Sequence, residues 1–238
     1  MPTLSIHVVS PTATHTHTII FLHGRGSNAK EFASEFFESQ ASDDRFLTDI
    51  FPSYKWVFPC AAIRYAGNEQ EEMHQWFDIA SVREPHHRPE IQLEGLRESV
   101  QGIRDIIGKE AEEIGGYEKL FVAGISQGCA TGIIAALTEG NQLAGFIGIS
   151  SWLPFPVSKK LHLEVYGLGT AVQMPVLLEH AEDDGVVPIV NGRELSEGLR
   201  GIGMKVKWKK YVNGGHWVNE PEGIDDMVSF MKRYDKIG

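Results

Sequence analysis

Ser126 stands between two glycines in Gly124-Ile-Ser126-Gln-Gly128, a spacing that can turn a weak alcohol into a nucleophile. A serine at the tip of a sharp strand-to-helix turn exposes its hydroxyl on a strained backbone, and small neighbours let strand and helix close around it. The amides that follow, starting with Gln127, then lie at a helix N-terminus, where partial positive charge stabilises an oxyanion. The alternative is a glycine-bounded turn with an incidental serine, so residues elsewhere decide. Such a hydroxyl needs a base in contact and an acid that orients the base. With a turn of this kind the chain order is serine, acid, histidine. His216, in Asn213-Gly-Gly-His216-Trp, comes last, and the glycines ahead of it let the chain fold back. His180 precedes the acidic residues, and His86 and His87 lie in a proline-bracketed loop ahead of the serine, so they suit the role less well. Glu182, Asp183 and Asp184 compete as the acid. Asp184 is preferred because it opens Asp-Gly-Val-Val-Pro188 just before a helix, with Asp183 as the fallback. A second oxyanion donor is expected from the amide of Arg25, in His23-Gly-Arg-Gly26, beside that of Gln127.

These pieces need a scaffold that ends strands in loops on one side. Thr18–Leu22, Trp56–Phe58, the run ending at Ile125, Phe146–Ile149 and Val176–Glu179 read as strands, and Lys205–Tyr211 alternates like a half-exposed one. Helices are expected over about 28–40, from Glu90 to Ile114, from the serine to Leu137, between Pro188 and Gly201, and from Gly223 to Tyr234. Strands alternating with helices predict an α/β fold, a mostly parallel central sheet with helices on both faces. His15 and His17 share one side of a strand. Without a cysteine or acid nearby they read as exposed polar positions rather than metal ligands. The lysines of 205–210 read as guards of an edge strand.

At 238 residues without a linker-like tract, one domain over 1–238 is expected. The net charge of −10 argues against nucleic acid and against anionic membrane surfaces as partners. Two cysteines, Cys60 and Cys129, suit a reducing compartment, and no signal, lipidation motif or membrane-spanning run stands out. A cytoplasmic protein with no stable membrane anchor is therefore expected; the oligomeric state is left open.

Taken together, Phe21-Leu-His-Gly-x-Gly26, Trp76-Phe-Asp-Ile79, Gly124-x-Ser-Gln-Gly128, Leu143-Ala-Gly145, Ser151-Trp-Leu-Pro154, Asp184-x-Val-Val-Pro188 and His216 resemble the acyl-protein thioesterase/carboxylesterase family of α/β-hydrolases. The resemblance implies an α/β-hydrolase fold, a Ser126–His216–Asp184 triad, an acyl-enzyme, no cofactor and no metal. It implies a small-molecule ester or an acylated protein as substrate. Trp152 and Leu153 are implied to line the acyl pocket, while Trp76 lines it or serves as core. Four features depart from the family pattern. Arg25 replaces an apolar residue beside the oxyanion site, adding charge that would favour an anionic substrate. Gly67-Asn-Glu-Gln-Glu-Glu-Met-His74 replaces an apolar covering loop. Burying its glutamates unpaired would cost several kcal/mol each, so a short or polar acyl group is expected rather than palmitate. Gly185 loosens the acid loop. Cys129, a small thiol packed on the sheet, sits at a helix N-terminus that would lower its pKa. Asp78 is expected to be a structural carboxylate. Two rival readings remain: a depalmitoylase or lysophospholipase acting on long acyl chains, and a non-catalytic homologue that keeps the pocket without the chemistry.

Overall fold

The computed structural model describes residues 4–155 and 173–235. In chain order its elements are β1 (Ile6–Val9), β2 (His17–Leu22), α1 (Ala29–Phe36), α2 (Leu47–Ile50), β3 (Tyr54–Pro59), β4 (Ile63–Ala66) and β5 (Glu71–His74). There follow α3 (Leu93–Ile114), β6 (Leu120–Ile125), α4 (Gln127–Thr138), β7 (Gly145–Ile149), β8 (Val176–Ala181), α5 (Ile189–Gly201), β9 (Val206–Tyr211) and α6 (Glu222–Tyr234). Seven strands form one sheet in the order β1-β3-β2-β6-β7-β8-β9, and every pair is parallel except β1 with β3. β4 and β5 make a separate antiparallel hairpin.

The central strands are apolar on both sides because both faces of the sheet are covered. Successive residues of β2 and β6 divide between two cores. Ile20, Leu22 and Val122 pack with Ile103 and Ile107 of α3 and Ile133 of α4. Ile19, Phe21 and Phe121 pack with Phe32 and Phe36 of α1 and Met227 and Phe230 of α6. α1 starts where Asn28 caps it, its side chain accepting from the amides of Lys30 and Glu31.

The differences from the sequence reading have local causes. β1 is a four-residue edge strand whose residues alternate between exposed and half-buried, too short for a pattern. The stretch Gly67–His74, read as a loop, is strand in its second half, with Glu72 opposite Tyr65. Glutamates disguise it, since they are poor strand formers. The helix expected to about residue 40 ends at Phe36, α3 is preceded by a 3-10 turn over Pro89–Gln92, and Gly201 is the last residue of α5 rather than the one beyond it. His17 is buried, not exposed: β2 lies mid-sheet, the ring stacks on Tyr54 at 4.9 Å, and Nε2 is 3.1 Å from Asp235. On the β9 edge Lys207 and Lys209 both pair with Asp226, and Lys210 pairs with Glu182.

Candidate active site

In a parallel sheet the carboxyl ends of all strands open on one side, so loops from distant sequence converge there. Arg25 follows β2, Ser126 follows β6, Asp184 follows β8 and His216 follows β9. The sheet order sets β2 against β6, with β7 between β6 and the β8–β9 pair.

Ser126 holds φ 54° and ψ −125°, a strained conformation for a residue with a Cβ, directly ahead of α4. Its amide donates to Ile149 O at 2.9 Å, and its carbonyl accepts from Ser151 Oγ at 2.7 Å and from the Ala130 amide. The flanking glycines are demanded by space. A Cβ on Gly128 would lie 2.4 Å from the carbonyl oxygens of Leu22 and His23, and one on Gly124 would lie 2.5 Å from the Cys129 amide. Cys129 is fully buried, and burial pushes its thiol up to about 12. Burial outweighs the lowering contacts from Ser151 and Ile149, so the thiol is raised rather than lowered, and it packs against the sheet as expected.

Asp184 is buried and its carboxylate is saturated with donors. Oδ1 accepts from the amides of Val186 and Val187, both at 2.9 Å, and Oδ2 accepts from His216 Nδ1 at 2.8 Å. Burial by itself would raise this carboxyl, but hydrogen bonds from His180 and His216 outweigh it and hold the group well below the usual carboxylate range. The fallback acid, Asp183, instead accepts from the Gly215 amide at 2.8 Å and so anchors the histidine loop. Gly214 and Gly215 take φ of 141° and 61°, values that favour glycine, and Trp217 packs edge-on against Phe32 with ring centres 5.9 Å apart. Among the described residues no hydrogen bond joins Ser126 Oγ to His216.

The loop after β2 is held from several sides. His23 is buried, its Nδ1 donates to Gly24 O at 2.7 Å, and its Nε2 accepts from the Ala61 amide at 3.0 Å. Burial drives its pKa down to about 4, so the ring is a neutral brace. Trp76 Nε1 donates to His23 O, and the Gly26 amide donates to His74 O. Among the described residues the amides of Arg25 and Gln127 donate to no other group. The Gln127 side chain accepts from the Trp76 amide at 2.9 Å and donates to Phe77 O at 2.7 Å, tying the serine turn to the segment after β5. Asp78 accepts from the amides of Gly67 and Ile79, a structural carboxylate as expected.

The Arg25 charge is already answered. Its guanidinium makes two bonds to Glu69, at 2.9 and 2.6 Å, and Nε donates to the buried Gln75 Oε1 at 2.9 Å. The guanidinium charge is therefore paired by the same loop that brings the acids. Glu71 and Glu72 stay exposed and pay no burial cost. Trp76, Trp152 and Leu153 are all buried in the core cluster that contains Cys129 and Ala130 of α4, beside the serine turn. Sequence reasoning missed Gln75, Glu69 and Ser151 as supports of the site, and missed His180 as a neighbour of Asp184, although a histidine four residues before the acid is a visible signal.

A family model described as Phospholipase/Carboxylesterase matches residues 4–234. The chain is 32% identical to Acyl-protein thioesterase 1 of Gibberella zeae over 95% of its own length and 94% of that protein's. It is 31% identical to a rice (Oryza sativa subsp. japonica) protein named "Probable inactive carboxylesterase" over 86% of this chain and 79% of that one. Among solved structures, Zea mays acyl-protein thioesterase 2 superposes with a TM-score of 0.79 at 27% identity, covering 98% of this chain and 99% of that one.

Proposed function

The chain belongs to the phospholipase/carboxylesterase family of α/β-hydrolases, and we propose that it hydrolyses carboxylic esters or thioesters through an acyl-serine formed on Ser126. The observation that carries this is the 2.8 Å bond from His216 Nδ1 to a fully buried Asp184 carboxylate, made at the sheet end where Ser126 caps α4. With Nδ1–H committed to Asp184, Nε2 of the neutral ring is left free to take a proton. His216 accepts the hydroxyl proton as Ser126 Oγ attacks the acyl carbonyl, and Asp184 stabilises the imidazolium that forms. The amides of Arg25 and Gln127 receive the oxyanion, each at a value of about a hundredfold in rate. Collapse of the tetrahedral intermediate releases the alcohol or thiol, which takes the proton from His216. Water then attacks the acyl-serine along the same route, so the cycle uses only protein groups and water. Trp76, Trp152 and Leu153 are the side chains proposed to shape the acyl side.

The preferred substrate is a short or polar acyl group, because the hairpin that would cover a long chain carries Glu69, Glu71 and Glu72. The acyl-protein thioesterase names among the relatives support a second reading, removal of a long acyl chain from protein. A rice relative named as inactive supports the non-catalytic rival. Ser126→Ala, assayed on p-nitrophenyl butyrate, is expected to lower kcat by at least about a thousandfold while the fold persists, and a fluorophosphonate probe should label wild type only. Equal turnover in the variant would exclude Ser126 as nucleophile, and an unlabelled, inactive wild type would favour the binding-protein rival.

A further inference from the structure

His180, next to last in β8, is fully buried, and it precedes the acid in the chain, an order that suits the base less well. Its Nε2 is 2.9 Å from Val187 O and 3.2 Å from Asp184 Oδ2. Both are acceptors, so Nε2 carries the hydrogen. Asp184 Oδ2 is the same oxygen that accepts from His216 Nδ1 at 2.8 Å, while Oδ1 is taken by two backbone amides. α5 fixes the imidazole from the other side: a Cβ on Gly192 would stand 2.3 Å from His180 Nδ1 and 2.9 Å from Trp208. The ring therefore cannot swing away from the carboxylate. Packing alone gives no reason for a histidine here, since a leucine fills a similar volume without a polar edge to bury.

The other charged groups around the loop are engaged elsewhere. Asp183 accepts from the Gly215 amide, Arg83 donates to Gly185 O, and Glu182 pairs with Lys210. Glu179 lies towards α6, its carboxylate 3.2 Å from where a Cβ on Gly223 would stand.

We propose that His180 is a positioning residue of the hydrolytic site: its Nε2–H, set between Val187 O and Asp184 Oδ2, fixes the carboxylate in the orientation that accepts from His216 Nδ1. This rests on the triad reading above. Oδ1 stays anchored by two amides, so losing the contact on Oδ2 lets the carboxylate pivot about Oδ1 and misaims His216 in the transition state; a misplacement of about 1 Å costs on the order of a hundredfold in rate. Substrate binding does not use this bond.

The test is steady-state kinetics on p-nitrophenyl butyrate for His180→Leu, His180→Asn and His180→Gln, with melting temperatures alongside and Ser126→Ala as control. Leu has no donor and the shorter Asn leaves Asp184 Oδ2 without one, so both should lose about ten- to a hundredfold in kcat with KM within about twofold. Gln places an amide N–H where Nε2–H stood and should keep kcat within about threefold of wild type. If His180→Leu does not fold, the Asn–Gln comparison stands by itself. Gln falling as far as Leu or Asn, or Asn keeping wild-type kcat, overturns the role of His180; with Ser126→Ala inactive, that result leaves the triad intact. Ser126→Ala as active as wild type overturns the triad and the His180 proposal with it.

Discussion

Two carboxyls on one strand and its loop show how surroundings set a residue's chemistry. Asp184 has four donors around it and stays ionised well below the usual range. Glu179 is as deeply buried, but neither of its oxygens has a hydrogen-bond partner among the described residues. Burial, then the nearby Asp226 charge, push it well above the usual carboxyl value. A folded-state pKa above the unfolded value of about 4.3 means its stabilising share is complete below that pH and is lost as pH rises towards the folded value. Glu179→Gln removes that loss. The variant should melt higher than wild type at pH 8, and the gain should vanish at pH 4. A difference in melting temperature that is equal at both pH values would show that Glu179 does not titrate as described.

At the scale of elements, the serine turn is a close approach of three backbones. Gly128 sits over the carbonyls of Leu22 and His23, and Gly124 sits over the start of α4. In both cases the obstacle is main chain, which cannot step aside as a flexible side chain would. Gly128→Ala is expected to cost about 1–3 kcal/mol or more in urea unfolding, with esterase activity falling as the turn shifts. A variant of wild-type stability would mean that strand and helix are less tightly apposed. The hairpin β4–β5 is joined to the loop after β2 by Arg25 with Glu69 and Gln75 and by the Gly26–His74 backbone bond. The ion pair is partly exposed, so its worth in stability is at most about 1 kcal/mol; its larger effect is to cancel a charge beside the Arg25 and Gln127 amides. Wild type should treat neutral and carboxylate-bearing nitrophenyl esters of equal length alike. Glu69→Gln should raise the relative kcat/KM for the carboxylate-bearing ester several-fold, and adding Arg25→Leu should erase the gain. No change on Glu69→Gln would mean the guanidinium does not reach the substrate.

For the molecule as a whole, a net charge of −10 disfavours approach to anionic bilayers, where long acyl chains reside. No helix among the described residues is long and apolar enough to cross a membrane. With the acidic hairpin this predicts kcat/KM falling from butyrate to palmitate across a series of p-nitrophenyl esters. A rise towards palmitate would favour the long-chain thioesterase reading instead.

The sequence by itself determined the central strands, the longer helices and the residue types at the site. The turn glycines, the Asn-Gly-Gly before His216 and the alternating strands and helices are local chemistry, legible because backbone geometry and helical periodicity act over a few residues. Glu71 and Glu72 hid β5, since what makes it a strand is pairing with β4 rather than its own propensities. Only the tertiary structure decided between Asp183 and Asp184 as the partner of His216, gave His180 a place beside that carboxylate, buried His17 and cancelled Arg25 with Glu69. Each of these depends on which strand lies beside which, and so on contacts between residues tens of positions apart that no local pattern encodes.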